Sequence, residues 1–215
     1  MIQQKQVNLL EFEQTSMDSY ISSLPKVIEN LCLLLKDRGF IPPEIPKSFQ
    51  EIAQKSIEQE QSIGETLSFK VKHVHSQKSV LVGFLDPLFD PLKNKEIMTS
   101  AYQIHGAILD LLPGESAILI CFSKMSPDSK KEINKLKSRV QVICHTSLIF
   151  PLTKHVLYKT HIAMSEEEAR AWENETKNSR KQLPLLKFSD PIRIWFGWPK
   201  NTIVKIERGA FRIVK

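Results

Sequence analysis

The sequence predicts an α+β protein of two domains: an α/β domain over residues 16–147, and a small α+β domain over residues 148–215 with a short sheet and two helices. Residues 1–15 are polar and Gln-rich and read as a loose extension. Three observations carry this division. Helical stretches alternate with continuously apolar strand segments between Leu67 and Cys144, which argues for a layered sheet with parallel neighbours. From Leu148 onward the segments shorten and turn signals follow one another. The charge also steps there: residues 1–147 hold 17 Lys/Arg against 17 Asp/Glu, whereas residues 148–215 hold 13 against 7, the whole net charge of +6.

Taken in order, the first element is a helix from Leu24 to Arg38. Ser22 or Ser23 can cap it, and Pro25 fits its first turn, where a missing N–H costs little. Leu24, Val27, Ile28, Leu31, Leu34 and Leu35 recur at helical spacing, and Gly39 stops the helix. Ser48 and Glu51 form a capping box that opens a second helix running to Gln59. Leu67–Val74 mostly alternates, as a half-wet strand does, while Val80–Phe84 is continuously apolar and therefore central. A helix is expected over Lys95–Leu111, with Ile97, Ala101, Ile104, Ile108 and Leu111 on one side. Ala117–Phe122 reads as a buried strand, Pro127–Lys137 as a helix capped by Ser126, and Val140–Cys144 as a returning strand. In the second domain, Ser165 with Glu168 forms another capping box, and Glu166, Glu167 and Glu168 favour the helix N-terminus. That helix runs to Lys177. Asp190-Pro191 starts a short helix closed by Gly197, and strands Thr202–Glu207 and Ala210–Val214 form a hairpin around Arg208-Gly209.

Composition narrows the class. The hydrophobic and charged fractions, 41% and 25%, are those of a globular protein. No apolar run approaches the roughly 20 residues that span a bilayer, and Met1–Gln6 lacks the pattern of a signal peptide. Cys32, Cys121 and Cys144 lie far apart in apolar segments, so they read as buried free thiols in a reducing compartment. The expectation is a soluble intracellular protein with no membrane partner. A basic segment suits nucleic acid or an acidic protein surface, and equally a solvated face with no dedicated partner.

Catalytic signatures are missing. No phosphate-cradling glycine loop, dinucleotide fingerprint, HExxH or GxSxG occurs, and aspartates come singly. His73 and His75 alternate along a strand and share a face, but two ligands do not complete a metal site. His105 has no partner in view, and His145, His155 and His161 cluster loosely without a nucleophile beside them. Trp172, Phe188, Trp195, Phe196 and Trp198 offer faces for base stacking, yet in so small a domain they are better spent filling the core.

Four spaced signatures stand in fixed order: Leu152-Thr153-Lys154-His155; His161-Ile162-Ala163-Met164-Ser165-Glu166-Glu167-Glu168; Gln182-Leu183-Pro184; and Ser189-Asp190-Pro191 leading through Trp195-Phe196-Gly197 to Ile203-Val204-Lys205-Ile206. Together they resemble the C-terminal assembly module of the fifth subunit shared by the eukaryotic nuclear RNA polymerases, a family with archaeal members. Upstream, Leu35–Phe40 looks like the end of that family's first helix, and Ser126-Pro127-Asp128-Ser129 looks like its Thr-Pro-Ser-Ala motif, which caps a helix of the jaw domain. Archaeal members lack the jaw, so the resemblance points to the eukaryotic type or to a large DNA virus.

That resemblance implies a structural subunit with no catalytic residue, cofactor or metal. The C-terminal module would dock on the largest polymerase subunit beside its small neighbours, and the N-terminal module would form part of the lower jaw near downstream DNA. The location would be the nucleus, or a viral factory or virion. The matching assembly residues are His155, His161, Ser165, Gln182, Leu183, Pro184, Asp190, Pro191, Gly197 and Lys205; the jaw motif is Ser126, Pro127 and Ser129. The chain departs from the family at Tyr158-Lys159-Thr160-His161, where a proline is lost, and at Leu185, where an arginine is usual. Pro199-Lys200-Asn201 replaces a Lys-Arg-Gly turn, and Asn is the best non-glycine residue for a left-handed position. After Arg208 the family's Ser-Glu-Thr-Ala-Gly-Arg-Tyr segment is absent. Two rival classes stand beside this reading: a free-standing nucleic-acid-binding module using the basic C-terminal face, and a nuclease-like enzyme in the α/β domain.

Overall fold

The computed structural model describes residues 22–44, 67–76, 78–85, 88–90, 95–109, 111, 115–136, 139–207 and 209–215. The expected loose extension over 1–15 and the expected helix Ser48–Gln59 lie outside the described residues. The chain divides into two compact units, Met1–Phe150 and Pro151–Lys215.

In the first unit, α1 (22–37) buries the face set by its spacing, with Leu24, Val27, Ile28, Leu31, Leu34 and Leu35 all at 2% exposure or less. Ser22 and Ser23, the expected caps, both fall within the described helix. Gly39 does turn the chain, at φ +80, and Phe40 N–H then donates to the Leu35 carbonyl at 2.9 Å. Asn30 is buried on α1, and its Nδ2 donates to the carbonyls of Leu148 (2.7 Å) and Ile149 (3.1 Å).

A four-stranded sheet follows. Its strands are β1 (Phe69–Lys72), β2 (Ser79–Leu85), β5 (Ser116–Cys121) and β6 (Val140–Cys144), in the spatial order β1-β2-β5-β6. β2, β5 and β6 run parallel, and β1 is antiparallel to β2. β1 alternates in exposure, while β5 is buried at five successive positions, as suits an edge and a central strand. β1 is shorter than the expected Leu67–Val74. Past Lys72 the chain bridges Phe40 through His73, and Val74 N–H donates to the Gly39 carbonyl at 2.8 Å. His73 and His75 therefore lie beyond the strand: His73 Nδ1 accepts the backbone N–H groups of His75 and Ser76, each at 3.2 Å, and holds a turn.

The expected helix Lys95–Leu111 is corrected. Lys95–Ile97 is a strand, β4, paired antiparallel with β3 (Leu88–Asp90), and helix α2 covers only Ala101–Ala107. Ser100 starts it with a full capping box: its hydroxyl accepts Gln103 N–H while Gln103 Oε1 accepts Ser100 N–H at 3.1 Å. Thr99 just before it is held in an extended bridge to Met125. Helix α3 (Pro127–Lys135) packs on the same side as α2, where Ile104, Leu119, Cys121 and Val140 form a core with Ile133 and Leu136 against it.

The second unit contains β7 (His161–Ala163), α4 (Glu166–Thr176), β8 (Leu185–Leu186), α5 (Pro191–Phe196), β9 (Ile203–Ile206) and β10 (Ala210–Val214). Its sheet order is β7-β9-β10-β8, antiparallel except for β10 beside β8. Leu186, Val204 and Val214 are its buried centre, with Trp198 packed against them. So small a core leaves a unit of modest stability. The chain is α+β overall.

Candidate assembly surface

Local chemistry positions each candidate residue of the second unit. Ser165 caps α4, and its hydroxyl accepts Glu168 N–H at 3.1 Å while Glu168 Oε2 accepts Ser165 N–H at 2.7 Å. These bonds hold the Glu168 carboxyl below its ordinary range. The helix closes at Lys177 in a left-handed turn, φ +56. Arg180 then reaches back to Glu166 (2.8 Å) and Glu173 (3.2 Å), and its guanidinium holds the Glu166 carboxyl low. Gln182 closes a second capping box by accepting Ser179 N–H at 3.0 Å. Leu183 N–H meets the Arg180 carbonyl, and the Pro184 carbonyl accepts Ile213 N–H at 3.0 Å, so this bend delivers β8 to the sheet.

Asp190 caps α5, with Oδ1 accepting Ile192 N–H at 2.9 Å, and Pro191 occupies the first helical position. Gly197 ends the helix at φ +69, with its N–H on the Arg193 carbonyl at 2.8 Å. Asn201 takes φ +69, the left-handed turn expected of it. Lys205 is exposed on β9, opposite Ile162.

One groove gathers part of this set. Leu152, His155, Leu157, Tyr158, Lys159, His161, Leu186, Asp190, Ile192 and Arg212 line a space of about 480 Å³. His155 Nδ1 accepts Leu157 N–H at 3.1 Å, and the His161 ring tilts on Tyr158 at 5.9 Å. Thus His155, His161 and Asp190 come together, while Ser165, Gln182, Leu183, Pro184, Gly197 and Lys205 do not line the groove. Beside it, Val156 is 96% exposed and Leu157 79%. Sequence reasoning missed Val156, Leu157, Tyr158, Ile192 and Arg212. The signal available was an apolar Val156-Leu157 pair among lysines and histidines in a stretch with no carboxylate.

The aromatic residues are mostly consumed by packing. Trp195 is buried, Phe196 stacks on Trp198 at 4.8 Å, and Trp172 meets Phe211 at 5.1 Å. Phe188 is 44% exposed on one face and carries the Arg193 guanidinium on the other, 3.2 Å from its centre. Arg193 is buried and its Nε donates to the Trp198 carbonyl at 3.0 Å; burial lowers its pKa to about 10.

In the first unit, Ser126 caps α3 and accepts Ser129 N–H at 3.1 Å, and Pro127 stands at the first position. Ser129 is fully buried, and its hydroxyl donates to the Thr99 carbonyl at 2.6 Å, which ties the helix start to the chain before α2. Among the described residues, no three His, Cys, Asp or Glu side chains gather as a metal site, and no helix is long and apolar enough to cross a membrane.

Residues 150–211 match the family of RNA polymerase Rpb5 C-terminal domains. Over these residues the C-terminal unit is similar to the Rpb5 family. The DNA-directed RNA polymerases I, II, and III subunit RPABC1 of Caenorhabditis elegans is 29% identical over 94 residues, 43% of this chain and 44% of that protein. The DNA-directed RNA polymerase V subunit 5A of Arabidopsis thaliana is 26% identical over 112 residues, 51% of this chain and 50% of that protein. The chain thus spans half or less of the length of these curated relatives. The Rpb5 match runs from Phe150 to Phe211 and so takes in the groove lining except Arg212, both capped helices and all but the last residues of the sheet.

Proposed function

We propose that this chain is a non-catalytic structural subunit of a multisubunit DNA-dependent RNA polymerase. Its C-terminal unit docks on the largest subunit beside the small ones, and its N-terminal unit forms part of the lower jaw near downstream DNA. It works in the nucleus, or in a viral factory or virion if a virus encodes it. The observation that carries this reading is the Rpb5 match over residues 150–211, beside a separate similarity to proteins whose names are those of polymerase subunits.

Geometry supports protein docking over a free-standing nucleic-acid module. The aromatic faces that would stack on bases are largely committed to packing, while an apolar groove with exposed Val156 and Leu157 suits a protein surface. Charge on this unit steers encounter and sets specificity. The N-terminal unit is balanced in charge, so its DNA contacts are few. The test is affinity purification of the tagged full chain from its own cells, followed by mass spectrometry. Stoichiometric recovery of the very large polymerase subunits supports the reading; recovery of nucleic acid without them refutes it.

A further inference from the structure

Among the described residues the sheet of the second unit ends at β7, and no strand pairs with its outer edge. In the β7–β9 ladder His161 faces Ile206, Ile162 faces Lys205 and Ala163 faces Val204. Glu207 N–H donates to the Thr160 carbonyl and Met164 N–H to the Ile203 carbonyl, each at 2.9 Å. Antiparallel pairs alternate between bonded and non-bonded. Residues 160, 162 and 164 therefore aim their backbone groups at β9, and His161 and Ala163 aim theirs outward. Among the described residues these outward N–H and C=O groups take no backbone partner. An unpaired edge of this kind is a template for another strand.

Two further observations say what that strand is like. Ile162 is 60% exposed beside the edge, and Val156 and Leu157 stand exposed just upstream. From Pro151 to Met164 the chain carries Lys154, His155, Lys159 and His161 and no Asp or Glu. An apolar segment flanked by carboxylates complements both features. Nucleic acid phosphates would use the lysines and the backbone N–H groups, but they leave the alternating carbonyl acceptors without donors, which a strand satisfies.

We propose that β7 is extended by a strand from the polymerase subunit on which this chain docks. That strand pairs with the backbone of His161 and Ala163, sets apolar side chains against Ile162 and Leu157, and places carboxylates by Lys154 and Lys159. The proposal rests on the polymerase reading above.

The experiment compares residue-resolved hydrogen exchange of the full chain alone and within the purified polymerase. On assembly the His161 and Ala163 amides slow at least about tenfold, while Ile162 and Met164, already bonded to β9, change little. In parallel, the full chain carrying Ala163→Pro is purified from the same cells. This substitution removes only an outward N–H, which edge strands tolerate, and co-purification of the large subunits falls about three- to tenfold, the effect of one lost hydrogen bond. If the wild-type chain assembles but its His161 and Ala163 amides exchange as fast as in the free chain, the strand proposal is overturned and the polymerase reading stands. If the chain never enters the polymerase, both fall. Protection that appears in the free chain as concentration rises, or on adding DNA alone, assigns the edge to a second copy or to nucleic acid and overturns the proposal.

Discussion

Asp190 stands at the meeting point of fold and groove, and replacing it separates the two. Its Oδ1 accepts Ile192 N–H at 2.9 Å at the start of a six-residue helix. Asp190→Ala removes that acceptor, and loss of such a cap costs about 0.5–2 kcal/mol, typically near 1. In a domain of this size each kcal/mol moves the melting temperature by roughly 4–8 °C. Asp190→Asn keeps the acceptor, so it melts close to the wild type while removing a charge from the groove wall. The reporter is built in: Trp172, Trp195 and Trp198 are the chain's three tryptophans, and all lie in the C-terminal unit. Thermal melts of the full chain followed by tryptophan fluorescence therefore read this unit. A drop of several degrees for Asp190→Ala with little change for Asp190→Asn is expected. Equal losses in both variants would refute the cap argument, because the hydrogen bond survives in Asn. An unchanged Ala variant would refute it as well.

Asn30→Ala removes both hydrogen bonds to the Leu148 and Ile149 carbonyls; chemical denaturation followed by circular dichroism reads a loss of about 1–3 kcal/mol, from two bonds of ordinary net strength. Asn30→Asp costs more at pH 7, because it sets a charged acceptor against two carbonyl acceptors. The Glu166 and Glu168 carboxyls titrate below their ordinary 4.5, held there by Arg180 and by the Ser165 N–H. A depressed folded-state value means the stabilisation is full above about 4.5 and is lost as pH falls below it. Acid melts of the tryptophan signal should show that loss, and it shrinks in a Glu166→Gln, Glu168→Gln variant. Among the thiols, Cys144 is held low by the Cys121 thiol beside it and by the Thr146 hydroxyl at 3.2 Å, whereas Cys121 and Cys32 are pushed up. Timed alkylation at pH 6 with peptide mapping should modify Cys144 first; earlier labelling of Cys32 would contradict this order.

Much of the local structure was legible because its causes lie within a few residues. The buried face of α1 follows from spacing alone. The Ser165–Glu168 box, the Asp190-Pro191 start, the Gly197 stop and the left-handed Asn201 follow from side chains that bond or fit their own turn. The expected helix over Lys95–Leu111 failed for a complementary reason. Its apolar spacing continued upstream of Ser100, but a strand partner in Leu88–Asp90 was available to Lys95–Ile97, and tertiary pairing overrode the helical pattern.

By itself, then, the sequence determined the basic character of the C-terminal part and the ends of its helices, because charge, capping and periodicity are properties of neighbouring side chains. Only the tertiary structure decided the strand orders β1-β2-β5-β6 and β7-β9-β10-β8, the parallel placement of β8 on β10, and the outward aim of His161 and Ala163. It also decided that Asn30 holds Leu148, 118 positions away, and that His155 and Arg212 share one groove. Those features rest on which backbone N–H meets which carbonyl across the fold, and since every residue but proline carries both groups, no pattern of side chains announces the pairing in advance.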